Sequence, residues 1–395
     1  MPTLIYVPGF SASELAYNRD GTRVLWLSYS RLILDTPAAL TLDAAGDPPG
    51  GDRAVPLYPT GVLTAYWREI ADVLNSQLQP RGFSVEYFAW DWRRDLWLAG
   101  TALADRVRQL RGSALPVTLC GHSAGGLVCR AAWAQLSASD RDTRVRRIIC
   151  VASPHCGTYY AVNTFAGVSE FMTQLAQLNQ ITGGSFGSWV VFYSAAWGVT
   201  DLVDVACTWP ALYQLLPVAG GSDAGTDPNR LSLYTATEWH GLPVRISQRH
   251  LTTTRILFHS FLLDPSSRPP AHVMTVVSGR GTSTPATLDK PDRLGLTDAI
   301  GSTDEGDGTV TVASAEDNFP VVVKLTGRHS DLPWALVSSG MMLDLILDER
   351  APVPSPASVT VDTTPIPVRL GGPPIPTLSL AGVYPADCRA GRCFC

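Results

Sequence analysis

Pro116-Val-Thr-Leu-Cys-Gly-His-Ser-Ala-Gly-Gly-Leu-Val-Cys-Arg-Ala-Ala-Trp-Ala-Gln-Leu136 carries three signals in one short stretch. Pro116 to Cys120 reads as a buried strand, and Leu127 to Leu136 repeats apolar side chains at helical spacing. Between them stands Gly121-His-Ser-Ala-Gly125, a G-x-S-x-G sequence. Small residues on either side of Ser123 allow a tight strand-to-helix turn that lifts its hydroxyl clear of a sheet. The Ala124 N–H would then open a helix, where a developing negative charge is favoured. Ser123 is therefore the candidate nucleophile.

Outward from this stretch, strands and helices alternate. Thr3 to Val7, Ser84 to Ala89, Pro116 to Cys120 and Arg147 to Val151 read as strands; Tyr66 to Leu78, Thr101 to Leu110 and Leu127 to Leu136 read as helices. His272 to Ser278 and Val321 to Leu325 add strands, and Trp334 to Leu347 one closing helix. Such alternation predicts βαβ units, hence an α/β fold with a mainly parallel sheet and helices on both faces. Arg23 to Pro59 reads as irregular. The expected organisation is a domain over residues 1–350, a cap or lid inserted at about 158–240, and a Pro-rich tail over 351–395.

A serine hydroxyl needs a base, and the base needs an orienting carboxylate. In folds with this turn they follow the serine in the order Asp, then His. Of seven histidines, His122 belongs to the turn, His155 comes too early, and His240, His250, His259 and His272 precede the acidic loop Asp304-Glu-Gly-Asp-Gly-Thr309. His329 is left as the candidate base. Asp307, flanked by glycines, is the preferred carboxylate and Asp304 its competitor. The loop Val7-Pro-Gly-Phe-Ser-Ala-Ser13 follows the first strand and offers the Phe10 N–H, beside that of Ala124, as an oxyanion donor.

Taken in order, these pieces resemble the lecithin:cholesterol acyltransferase and lysosomal phospholipase A2-like family of α/β-hydrolases. Tyr6-Val-Pro-Gly9 is similar to its oxyanion loop, Trp90-Asp-Trp-Arg93 to its Tyr-Asp-Trp-Arg motif, and Gly121 to Gly126 to its nucleophile turn. Trp209 to Pro217 looks like a cap segment and Gly306 to Val310 like the aspartate loop. The resemblance implies an α/β-hydrolase fold with an inserted lid, an acyl-enzyme mechanism on lipid esters, and a role for Asp91, Trp92 and Arg93 in holding the lid and substrate region; a salt-bridged loop with a packed indole is the alternative for these three. Secreted members staple the lid with a disulfide, whereas residues 16–60 here contain no cysteine.

Composition narrows the rest. Net charge is −5, only 16% of residues are charged against about 25% in ordinary domains, and no run of five like charges occurs, which excludes a nucleic-acid partner. Met1 to Val7 has neither a basic stretch nor a long apolar run, so a cytoplasmic protein, peripheral to membrane at most, is expected. Cys388, Cys393 and Cys395 crowd the end, but three cysteines lack the fourth ligand of a zinc site. No metal and no cofactor is expected. Phe171, Met172, Leu175 and Leu178 recur at helical spacing before an aromatic, glycine-flexible stretch that includes Trp189 and Phe192. That stretch either buries against the main domain or forms a lid that lies over an acyl pocket and touches a lipid surface transiently. Hydrolysis and acyl transfer stay open, as does a catalytically silent binding or membrane-docking protein on the same fold.

Overall fold

Thr3 and the four apolar residues after it, Thr3–Val7, form β1, and every one of the five is buried. Successive side chains alternate across a strand, so Leu4 and Tyr6 enter one core while Ile5 and Val7 enter another. Five further strands join it: β5 (Ser84–Tyr87), β6 (Val117–His122), β7 (Val145–Val151), β8 (Met274–Arg280) and β11 (Val322–Thr326). Their order is β11-β8-β7-β6-β1-β5, and every neighbouring pair is parallel. A parallel sheet must be covered on both faces. In the computed structural model, α1 (Trp67–Leu78) covers one face and α2 (Leu96–Gln109) and α3 (Ala124–Gln135) the other.

The structure describes residues 2–26, 37–49, 56–63, 67–110, 116–172, 199–222, 225, 227–240, 246–296, 298–319 and 322–347. All belong to the compact unit Met1–Val361. The expected tail over 351–395, with its three cysteines, and the aromatic stretch holding Trp189 and Phe192 lie outside the described residues.

Two expectations need correction, and one hairpin went unread. Arg23 to Pro59 is not irregular throughout: β2 (Ser13–Ala16) pairs antiparallel with β3 (Val24–Trp26) and β4 (Tyr58–Val62) in a separate small sheet. Strands this short, one of them holding Pro59 and Gly61, carry no readable period. A second hairpin, β9 (Thr284–Leu288) with β10 (Ile300–Thr303), escaped for the same reason. The closing helix is two helices, Leu332–Ser338 and Met341–Leu347, because Gly340 turns left-handed at φ 81° and ends the first.

The chain leaves β1 for the β5 side, then crosses to β6 and proceeds to β7, β8 and β11. The direction of winding thus reverses between β1 and β6. Loops at the carboxyl ends of strands flanking such a reversal diverge and leave a crevice. Phe10 follows β1 and Ser123 follows β6 at that crevice.

Candidate active site

β6 ends at His122 and α3 begins at Ala124, so Ser123 makes the turn by itself. It does so at φ 54° and ψ −129°, a region that costs a non-glycine residue roughly 1–3 kcal/mol. Neighbouring backbone enforces the conformation. The Val151 carbonyl accepts the Ser123 N–H at 2.8 Å. A side-chain carbon on Gly125 would collide with the carbonyl of Val7 and stand 2.6 Å from that of Pro8, and one on Gly9 would stand 2.9 Å from Ser123 Cβ. Only glycine at both positions lets the loop after β1 close onto the serine. Among the described residues, neither the Phe10 N–H nor the Ala124 N–H has a protein acceptor.

Asp307 and His329 come together near the carboxyl ends of β8 and β11. The His329 Nδ1–H donates to Asp307 Oδ2 at 2.8 Å, and the His329 main-chain N–H donates to the Asp307 carbonyl at 2.8 Å. The second carboxylate oxygen accepts the N–H groups of Thr309 at 2.9 Å and Val310 at 2.7 Å. Gly308, left-handed at φ 94°, bends the loop so that both amides face back to it. Asp307 is 2% exposed, whereas Asp304 is exposed and makes no contact with His329. An imidazole that donates Nδ1–H to a carboxylate presents Nε2 as a proton acceptor.

A cavity of about 430 Å³ joins these groups; Phe10, Ser123, Asp307 and His329 all line it. Ala161, Phe171, Leu212 and Leu215 make an apolar wall, and Thr282, Ser283, Arg328 and Ser330 a polar one. None of these wall residues was singled out for a site in the sequence except Phe171; Leu212 and Leu215 lie inside the quoted Trp209 to Pro217 segment. Thr282 and Ser283 sit in a connection with no periodic pattern to mark them.

Asp91, Trp92 and Arg93 do not line the cavity. Arg93, 2% exposed, is gripped by both Asp91 oxygens at 2.9 and 2.7 Å and donates to the Leu40 carbonyl at 3.3 Å. The Trp92 indole donates to the Ser13 carbonyl at 3.2 Å and meets Phe10 and Trp209 edge-on, each at 5.1 Å. These residues support the floor under Phe10. The segment after Trp209 is tied to the same region: Trp209 donates to the Leu40 carbonyl at 2.8 Å, Ala211 to that of Arg93 at 3.3 Å, and Gln214 bridges Leu96 N–H and Asp95 at 2.7 Å each. The apolar wall bearing Leu212 and Leu215 is thereby anchored to the sheet domain. Among the described residues no group of three or more His, Cys, Asp or Glu side chains could hold a metal ion.

No protein-family profile matches the chain, and no curated protein matches it in sequence. In solved structures it is similar to a chain of the crystal structure of the Tle4–Tli4 complex, with a TM-score of 0.53, 13% identity, and 88% of this chain and 99% of that one covered. The mature lipase BlEst2 of Bacillus licheniformis gives 0.41 at 12% identity over 87% and 91% of the two chains, and the Staphylococcus hyicus lipase 0.33 at 13% over 87% and 96%. The chain has the α/β-hydrolase fold. On this fold the Ser123 hydroxyl, the His329–Asp307 pair and Phe10 meet at one cavity, with Ala124 following Ser123 at the helix start.

Proposed function

We propose that the chain is a serine acyl hydrolase or acyltransferase of lipid esters, akin to the lecithin:cholesterol acyltransferase and lysosomal phospholipase group. The observation that carries this reading is the Asp307–His329 pair lining the same cavity as Ser123, which is strained into a sharp turn. His329 Nε2 takes the Ser123 proton as Oγ attacks the ester carbonyl, and the Phe10 and Ala124 N–H groups receive the oxyanion. Asp307 holds the tautomer and stabilises the imidazolium. The imidazolium returns the proton to the departing alcohol, which leaves an acyl-Ser123 ester. Water or a second alcohol, deprotonated by His329, then takes the acyl group and restores the hydroxyl.

The apolar wall of Phe10, Ala161, Phe171, Leu212 and Leu215 supports a fatty acyl chain as the bound portion. Transient contact with a lipid surface is supported by the large apolar side chains left exposed among the described residues: Trp97, Leu98, Leu231, Ile256, Leu257 and Leu263. No helix among the described residues is long and apolar enough to cross a membrane. Four described cysteines, Cys120, Cys129, Cys150 and Cys207, are buried free thiols, which supports a reducing, cytoplasmic setting.

A fluorophosphonate probe followed by peptide mass spectrometry tests the chemistry. The adduct is expected on Ser123 and absent in Ser123→Ala, which also loses ester turnover at unchanged melting temperature. A folded protein without adduct would instead be a silent binding protein. A panel of lipid esters with product analysis, run with and without an alcohol acceptor, separates hydrolysis from transfer.

A further inference from the structure

His122 lies between the nucleophile and the base, and the chemistry above leaves it without a task. It is the last residue of β6, 3% exposed, and directly precedes Ser123. Its imidazole packs against that of His329 with ring centroids 4.8 Å apart and a 42° tilt. Its Nε2 lies 3.1 Å from the His329 carbonyl oxygen. A carbonyl only accepts, so Nε2 carries the proton and donates it. On its other side the ring meets the loop after β1, where a side-chain carbon on Gly9 would stand 3.4 Å from Nδ1.

The His329 residue is thus held at three points. Its ring donates to the Asp307 carboxylate, its N–H donates to the Asp307 carbonyl, and its C=O accepts from His122. The first two bonds come from the loop of Asp307. Of the three, the third alone comes from the element that carries Ser123, and it therefore sets the distance between serine and base.

We infer that His122 is a positioning residue that gauges the separation of Ser123 from His329 through a neutral Nε2–H donor. This inference rests on the serine acyl-transfer reading above. Neutrality matters because His329 becomes an imidazolium during each half-reaction, and a second cation 4.8 Å away would oppose it. Burial supplies the neutrality: desolvation first, and then the charge of His329, holds His122 well below the ordinary imidazole range. The titratable group that acts on it is the His329 ring, which the Asp307 carboxylate faces from the opposite side.

Two variants and one spectroscopic measurement test the inference. His122→Phe keeps a ring but removes the donor; His122→Gln keeps an N–H near the position of Nε2. His122→Phe is expected to lower kcat about tenfold with KM within about twofold, and His122→Gln to recover most of that loss. Equal activity of His122→Phe and the parent, an equal loss in both variants, or a loss confined to KM overturns the inference. In the parent enzyme labelled with 15N-histidine, the resonances absent from His122→Gln should show protonated Nε2 and unprotonated Nδ1 from pH 8 down to pH 5. An Nδ1–H tautomer, or protonation of this ring near pH 6, overturns it, and the resonances can be assigned from whichever of the two variants folds. Activity surviving in Ser123→Ala would sink the acyl-transfer reading instead, and leaves the tautomer measurement intact.

Discussion

Asp307 has each carboxylate oxygen committed, one to two backbone amides and the other to an imidazole. An amide in its place cannot serve both sets, since its NH2 group would face either donors or the His329 Nδ1–H. Asp307→Asn is therefore expected to lower kcat on the order of 10⁴-fold, while Asp304→Asn, an exposed position, changes it less than twofold. Steady-state kinetics of the two variants on one soluble ester decide the matter. Sequence order and flanking glycines pointed to Asp307, but Asp304 stayed a competitor. What separates them is burial and the left-handed Gly308, and neither is visible in residue types alone.

Among the elements, the turn between β6 and α3 shows what backbone contact demands. Gly125→Ala would force the Val7 and Pro8 carbonyls away from the helix start. The expected result is a loss of several kcal/mol of stability, the cost of overpacking a closed site and more, together with slower fluorophosphonate labelling because the Phe10 loop retreats from Ser123. A denaturant midpoint equal to the parent's would show that the loop yields freely. This turn was legible because three signals coincide there: an apolar run, the glycine pattern and helical spacing. The helices nevertheless begin earlier than periodicity suggested. Leu96–Gln109 starts at the Asp95 cap, whose side chain accepts the Trp97 N–H at 2.7 Å, and Ala124–Gln135 starts at the serine itself. Apolar period marks the buried face of a helix, not the capped end. The hairpin of β9 and β10 and the sheet of β2 to β4 stayed hidden because strands of three to five residues hold too few side chains for a period of two.

Across the whole molecule, several histidines are buried without charge. Burial holds His122 and His155 well below the ordinary 6.5 and lowers His259 to about 4, where its ring bonds the Tyr234 hydroxyl and the Gln214 carbonyl. The unfolded chain binds these protons near pH 6.5 and the folded one does not, so unfolded molecules take up more protons between the two values. Stability is then fully present above about pH 6.5 and falls as pH drops toward 4. For His259 alone the full titration is worth about 3 kcal/mol. Urea midpoints measured at pH 7.5, 6 and 5 should fall steadily, and His259→Gln should flatten the slope. A midpoint constant over that range would mean that the histidines are hydrated in the fold.

Among the described residues β11 pairs only with β8, at one edge of the sheet, yet His329 follows it by three residues, so the proposed base depends on an edge strand. Edge strands exchange their amide hydrogens through local opening at a smaller free energy than global unfolding requires. On the proposed mechanism each such opening displaces the proton acceptor, while Ser123, at the end of the central strand β6, keeps its turn. Thermal inactivation is therefore expected to begin as fraying of this edge. On heating, ester turnover should be lost several degrees below the calorimetric transition, at the temperature where amides of Val323 to Thr326 lose protection from exchange.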